Sequence, residues 1–327
     1  MRDPHAMVNL ILALHEEVRD EIVAATERQG LDRMASIDRD DEGDTIYAID
    51  VVGEAIVTRL AEALAHDRTF VMVAEGLPGG RRVYPPGADE ASADCCIIVD
   101  PIDGTRGLMY QKRSAWVLTG VAPNRGAATR LSDVVLAVQT EIPFLKQHLS
   151  DQLWAFAGKG MQARRWNRMT RSAEPLTLRR SGSATIAHGF ATIVRFFPGA
   201  REVLGAIDDE VVHALVTPEP GRATSFEDQY ASTAGQLYEL LAGHDRFIAD
   251  LRPLVKSQSL CCHPYDVCTA LIAREAGVIL TDPRGAALDA PFDLTTDVAW
   301  VGYANESLRR AIEPVLQGAL RRRGFLK

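Results

Sequence analysis

Residues 95–105 read Cys-Cys-Ile-Ile-Val-Asp-Pro-Ile-Asp-Gly-Thr, and no other run constrains the fold as much. Cys95 to Val99 has the apolar, β-branched content of a buried strand. It ends abruptly in Asp100 and Asp103, separated by Pro101, which cannot donate to a sheet ladder. Gly104 and Thr105 follow, at the start of a short helix. A strand that delivers two carboxylates and a helix start to one point suits a divalent cation beside a phosphate. The carboxylates are hard oxygen donors, and the first N–H groups of a helix lack intrahelical partners. Alone, Asp-x-x-Asp-Gly-Thr is more often a turn than a metal site.

Two further acids shift that balance. Glu75 ends another apolar strand, Phe70 to Ala74, just before Gly76. Asp266 precedes an apolar segment that is expected to be a helix closed by Gly277. For Asp266 alone, a helix cap is the simpler reading.

The rest of the chain reads as layered α and β. A first helix is expected from about residue 5 to 29 with Gly30 as its stop, and a second from about 50 to 66 with Val52, Ile56, Leu60 and Leu64 as its apolar stripe. Residues 76–87, rich in Gly and Pro, read as a surface loop on which Arg81 and Arg82 are solvated. Strands are expected at 116–121, 134–138, 153–157, 188–194 and 245–249, and helices at 199–215 and 233–242. Six Arg between Arg164 and Arg180 read as a solvated linker, so two domains are expected, residues 1–175 with most acids and 176–327 with Asp266.

A net charge of −8 argues against a nucleic-acid binder. Cys95, Cys96, Cys261, Cys262 and Cys268 show neither a disulfide framework nor a structural zinc spacing, and read as small buried hydrophobes in a reducing cytoplasm. The early apolar run from Met7 to Leu14 is too short to span a bilayer and lacks a cleavage site. No membrane association is expected.

Together these residues resemble the inositol monophosphatase superfamily of metal-dependent, lithium-sensitive phosphatases. Its Asp-Pro-Ile-Asp-Gly-Thr signature stands unchanged at 100–105, and its aromatic-Asp motif stands as Tyr265-Asp266 through Glu275-Ala276-Gly277, with Tyr where the family usually has Trp. Weaker matches are Ala74-Glu75-Gly76, with one acid missing, the segment Asp44 to Asp50, the hairpin Ala157-Gly158-Lys159-Gly160, and Ser232-Thr233-Ala234. The resemblance implies an alternating α–β–α–β–α sandwich of the sugar-phosphatase type and a homodimer. It implies two or three Mg²⁺ ions, with Mn²⁺ as a substitute, held by Glu75, Asp100, the Ile102 carbonyl, Asp103 and Asp266. It makes Thr105, with Asp50 as partner, the group that orients the attacking water, alongside Glu75. Gly104 and Thr105 then hold the phosphate, and Ser232, Thr233, Ala234 and Asp250 the rest of the substrate.

The implied activity is Mg²⁺-dependent hydrolysis of a small polyol or sugar phosphate by metal-activated water. Fructose 1,6-bisphosphate and 3′-phosphoadenosine 5′-phosphate are alternative substrates. Pro101 stands where a haloacid dehalogenase-type phosphatase needs its nucleophilic Asp, so no phosphoenzyme is expected. A non-catalytic phosphate-binding regulator is the reading from another class, favoured only by the acid missing at Gly76.

Overall fold

The structure, a computed structural model, describes residues 4–34, 37–41, 44–66, 68–257 and 259–327, and of residues 29–56 in those ranges the backbone only. The chain opens with α1 (Pro4–Met34), a hairpin of β1 (Ile37–Asp41) and β2 (Asp44–Tyr47), and α2 (Ala48–Ala65). Then come β3 (Phe70–Ala74), β4 (Arg81–Tyr84), β5 (Cys95–Asp103), α3 (Thr105–Met109), β6 (Ala115–Pro123), β7 (Leu136–Ile142), β8 (Leu149–Phe156), β9 (Met161–Asn167) and β10 (Ser172–Pro175). The remainder is β11 (Phe190–Ile193), α4 (Arg201–Leu215), α5 (Thr233–Ala242), β12 (Asp245–Asp250), α6 (Ala270–Glu275), β13 (Ile279–Thr281), β14 (Trp300–Tyr303) and α7 (Glu306–Arg322).

One sheet has eight strands in the order β10-β9-β8-β7-β6-β5-β3-β4, and a second has four, β11-β12-β14-β13. Period-2 alternation explains why β5 reads as a continuous apolar run. Cys95, Ile97 and Val99 face Met7, Ile11, Leu60 and Leu64 of α1 and α2. Cys96 and Ile98 face the opposite way, into the core that holds Leu237 and Leu240 of α5 and Ile272 of α6. That helix pair also packs on the small sheet through Ile248, Leu280 and Trp300. Leu204 and Ile207 of α4 and Leu308, Ile312 and Leu316 of α7 cover its far side, against Phe247 and Val301. The order is α–β–α–β–α, as the resemblance implies.

Some expectations change. The first helix runs through Gly30 to Met34, since one Gly costs a helix only about 1 kcal/mol. The 76–87 segment contains the edge strand β4, which pairs with β3, and Arg81 is bonded to Glu90. The Arg-rich segment is not a linker in its first half. Arg164 and Arg165 lie on β9, which pairs with β8, bonded to Glu16 and to Asp151. No helix among the described residues is long and apolar enough to cross a membrane.

Candidate metal centre and its cleft

Strands β3 and β5 are parallel neighbours, in register from Phe70–Cys95 to Ala74–Val99. Glu75 is therefore delivered level with Asp100, at the carboxyl ends of adjacent parallel strands, where open α/β sheets hold their ligands. Asp100 and Asp103 are an odd number of residues apart, so a regular strand would point them to opposite faces. Against β6, Asp100 pairs with Leu118 but Asp103 pairs with Trp116, so Pro101-Ile102 carries a bulge. The extra residue shifts the phase by one and brings both carboxylates to one side. Asp100, Asp103 and Asp266 thus offer oxygens within 4.8 Å of one another. Glu75 lies outside that cluster but lines the same cleft of about 590 Å³ with Ile102, Gly104, Thr105, Ser232 and Thr233.

Each acid is anchored. Asp100 Oδ1 accepts from Ile102 N at 3.0 Å, and Asp266 Oδ2 from His263 N at 2.6 Å. Asp103 Oδ2 accepts from the Ser232 hydroxyl at 2.8 Å and from Ala234 N at 2.6 Å. Ser232 is the N-cap of α5, its hydroxyl also accepting from Gly235 N at 2.9 Å. The expected substrate loop 232–234 is therefore bonded to a carboxylate of the cluster. Asp266 was expected to open the helix directly. It sits instead in turns before α6, which begins only at Ala270, and its carboxylate closes that turn onto His263.

Close approaches impose two glycines. Gly104, at φ +94°, would place a Cβ 2.9 Å from Ser232 Cβ. Gly120 on β6 would place one 2.8 Å from the Cys268 carbonyl, so its bare backbone lets the Asp266 turn sit on the sheet.

The Thr105 hydroxyl donates to the Ile102 carbonyl at 2.9 Å. A hydroxyl has one proton, so donation to Asp50 is an alternative to this bond rather than an addition. The Asp50 side chain lies outside the described residues, as does that of Asp44. The Ile102 carbonyl retains a second lone pair. Tyr265, where Trp was the usual residue, has a hydroxyl bonded to Glu75. Asp250 is not brought to the cleft. It is fully buried, and its carboxylate takes both Nε and a terminal nitrogen of Arg252, at 2.9 and 2.6 Å.

The electrostatics of the cluster suit a cation. Burial first, then Asp103, Asp266 and Glu75, push the Asp100 carboxyl well up. Burial and Asp103 do the same to Asp266, and burial raises Asp103 to about 6 against its hydrogen bonds. Hard carboxylate oxygens that repel one another match what Mg²⁺ requires.

The sequence reading missed Arg252, Phe196, Phe197 and Arg106, which also line the cleft. The Asp250-x-Arg252 spacing, which puts both side chains on one side of an extended chain, was the available signal. It missed Gln139 too. This buried residue on β7 donates to the Ala234 carbonyl at 3.0 Å and accepts from the Thr269 hydroxyl at 2.9 Å, tying the α5 start and the Asp266 turn to one strand.

This layering is the fold of several solved structures. The chain matches a fructose-1,6-bisphosphatase from Leishmania major at TM-score 0.71 and 12% identity, covering 98% of this chain and 96% of that one. It matches the extragenic suppressor protein suhB from Bartonella henselae at TM-score 0.64 and 17% identity, over 95% and 98% of the two chains. An IMPase from Thermotoga maritima matches at TM-score 0.62 and 15% identity, over 97% and 99%. No family model matches the chain, and no curated protein matches it by sequence.

Proposed function

We propose that this chain is a Mg²⁺-dependent phosphomonoesterase acting on a small polyol or sugar phosphate. The observation that carries the reading is the convergence of Asp100, Asp103 and Asp266 within 4.8 Å, beside Glu75 and the Gly104–Thr105 turn. Glu75, Asp100, the Ile102 carbonyl, Asp103 and Asp266 would hold the metal, two or three Mg²⁺ ions with Mn²⁺ as a substitute. When bound, it supplies Lewis acidity that neutralises phosphate charge and acidifies a nearby water. The protein's part is positional. The Gly104 and Thr105 N–H groups hold the ester phosphate. Thr105, fixed by its bond to Ile102, accepts from the attacking water, with Asp50 and Glu75 taking up protons. Ser232 and Ala234 keep Asp103 aimed at the cluster.

The buried free thiols support a cytoplasmic setting. A homodimer and a division near residue 175 complete the proposal. Release of inorganic phosphate from a panel of phosphomonoesters, with and without Mg²⁺, tests it. Turnover should need the metal and disappear with chelator. Phosphate binding without release would favour the regulator, and turnover unaffected by exhaustive chelation would sink the metal centre.

A further inference from the structure

Arg252 is the unusual member of this cleft. It is a buried cation, side chain 4% exposed, in a wall otherwise rich in acid. Its Nε and one terminal nitrogen donate to Asp250, and the other terminal nitrogen donates to the Leu260 carbonyl at 2.6 Å. These bonds use three of the five N–H groups that a guanidinium carries. Its plane is held by Phe196 and Phe197, whose ring centroids lie 4.5 and 5.6 Å from the guanidinium carbon. Arg106 of α3 approaches the same Phe197 ring at 5.2 Å and also lines the cleft.

The pairing changes what this wall presents. A wall that selects polyol hydroxyls needs acceptors, and the acid expected to serve, Asp250, is kept out of the cleft, fully buried with both oxygens occupied. The cleft meets the guanidinium instead, rigid, flanked by aromatic rings, with donors remaining. Such a group favours a planar or tetrahedral anion over a hydroxyl. Resting on the phosphatase reading, we propose that Arg252, assisted by Arg106, is the specificity residue for a second anionic group on the substrate. The ester phosphate sits at the acid cluster, and a carboxylate or second phosphate at the far end of the molecule meets Arg252.

Three six-carbon esters that differ only at the far end test this on the full-length Mg²⁺-loaded protein: sorbitol 6-phosphate, 6-phosphogluconate and hexitol 1,6-bisphosphate. The kcat/KM should be at least ~10-fold higher for one or both doubly anionic esters, equivalent to ~1.4 kcal/mol. Whichever is preferred identifies the anion. In Arg252→Gln that ratio should fall toward one, chiefly through a raised KM. Because this variant leaves Asp250 buried without its cation, Asp250→Asn/Arg252→Gln, which retains a neutral pair, should show the same collapse. Equal kcat/KM on all three esters in the wild type overturns the proposal. So does an equal loss on all three in both variants, the result expected if Arg252 only clamps residues 251–262. Failure to hydrolyse p-nitrophenyl phosphate or any of the three would instead remove the phosphatase reading on which the inference stands.

Discussion

Asp103 shows how single residues divide the work. One of its oxygens accepts from both Ser232 and Ala234, so the carboxylate is aimed before any ligand arrives. Asp100→Asn removes a carboxylate that shares the cleft with Glu75, Asp103 and Asp266, and turnover should be abolished. Near-normal kcat in that variant would place the chemistry elsewhere. Thr105 separates two roles. Gly104, not Thr105, is the cap of α3, so the structural role left to Thr105 is its hydroxyl bond to the Ile102 carbonyl, worth about 1 kcal/mol. As the group that aligns water it contributes to kcat. Thr105→Ala should lower kcat roughly 10²-fold, the scale of lost positioning or proton transfer, with little change in the Mg²⁺ concentration for half activity. A variant that merely melts earlier leaves Thr105 a structural residue.

At the scale of elements, Gln139 connects parts of the site that no short motif joins. It holds the Ala234 carbonyl at the start of α5 and the Thr269 hydroxyl beyond Asp266, and so couples the supports of two acids through β7. Gln139→Ala strands a buried hydroxyl and a buried carbonyl at about 1–3 kcal/mol each. The melting temperature should fall, and in addition the Mg²⁺ requirement should rise. Lower stability with an unchanged Mg²⁺ titration would confine Gln139 to holding layers together. This also shows what was legible in the sequence. The strands to Glu75 and Asp103 and the helix α5 were readable because apolar runs ended at acids or Gly, which are local signals. The cluster Asp100–Asp103–Asp266 was readable through motif resemblance. The bulge at Pro101, the Asp250–Arg252 pair and the Gln139 bracket were not, because each depends on a partner strand or on how buried donors are satisfied. The 164–167 arginines misled for the same reason. Their acidic partners, Asp151 and Glu16, are far away in sequence.

For the whole molecule, stability should depend on pH through groups buried in separate layers. Burial, first among the causes, pushes Glu141 on β7 and Asp245 on β12 up to about 7, and Asp208 on α4 up to about 6. For Asp245, Glu239 and Asp228 add repulsion. A carboxyl whose folded value exceeds its unfolded one favours the fold while protonated. That contribution is complete below about pH 4 and is lost as pH rises through the folded value. His15 acts with the opposite sign. Burial against Thr119 and Thr140 lowers it to about 3, so the fold keeps it neutral and loses stability as pH falls below about 6.5. The two slopes oppose each other between about pH 4 and 6.5, so the wild-type curve alone cannot apportion them, and a single variant can. Asp245→Asn removes the titration without changing shape. At saturating Mg²⁺ its melting temperature should equal that of the wild type near pH 3 and exceed it at pH 8, by roughly 2–4 °C for each kcal/mol relieved. A constant offset across that range would mean that the substitution changed packing rather than charge, and Asp245 would then be ionised in the fold throughout.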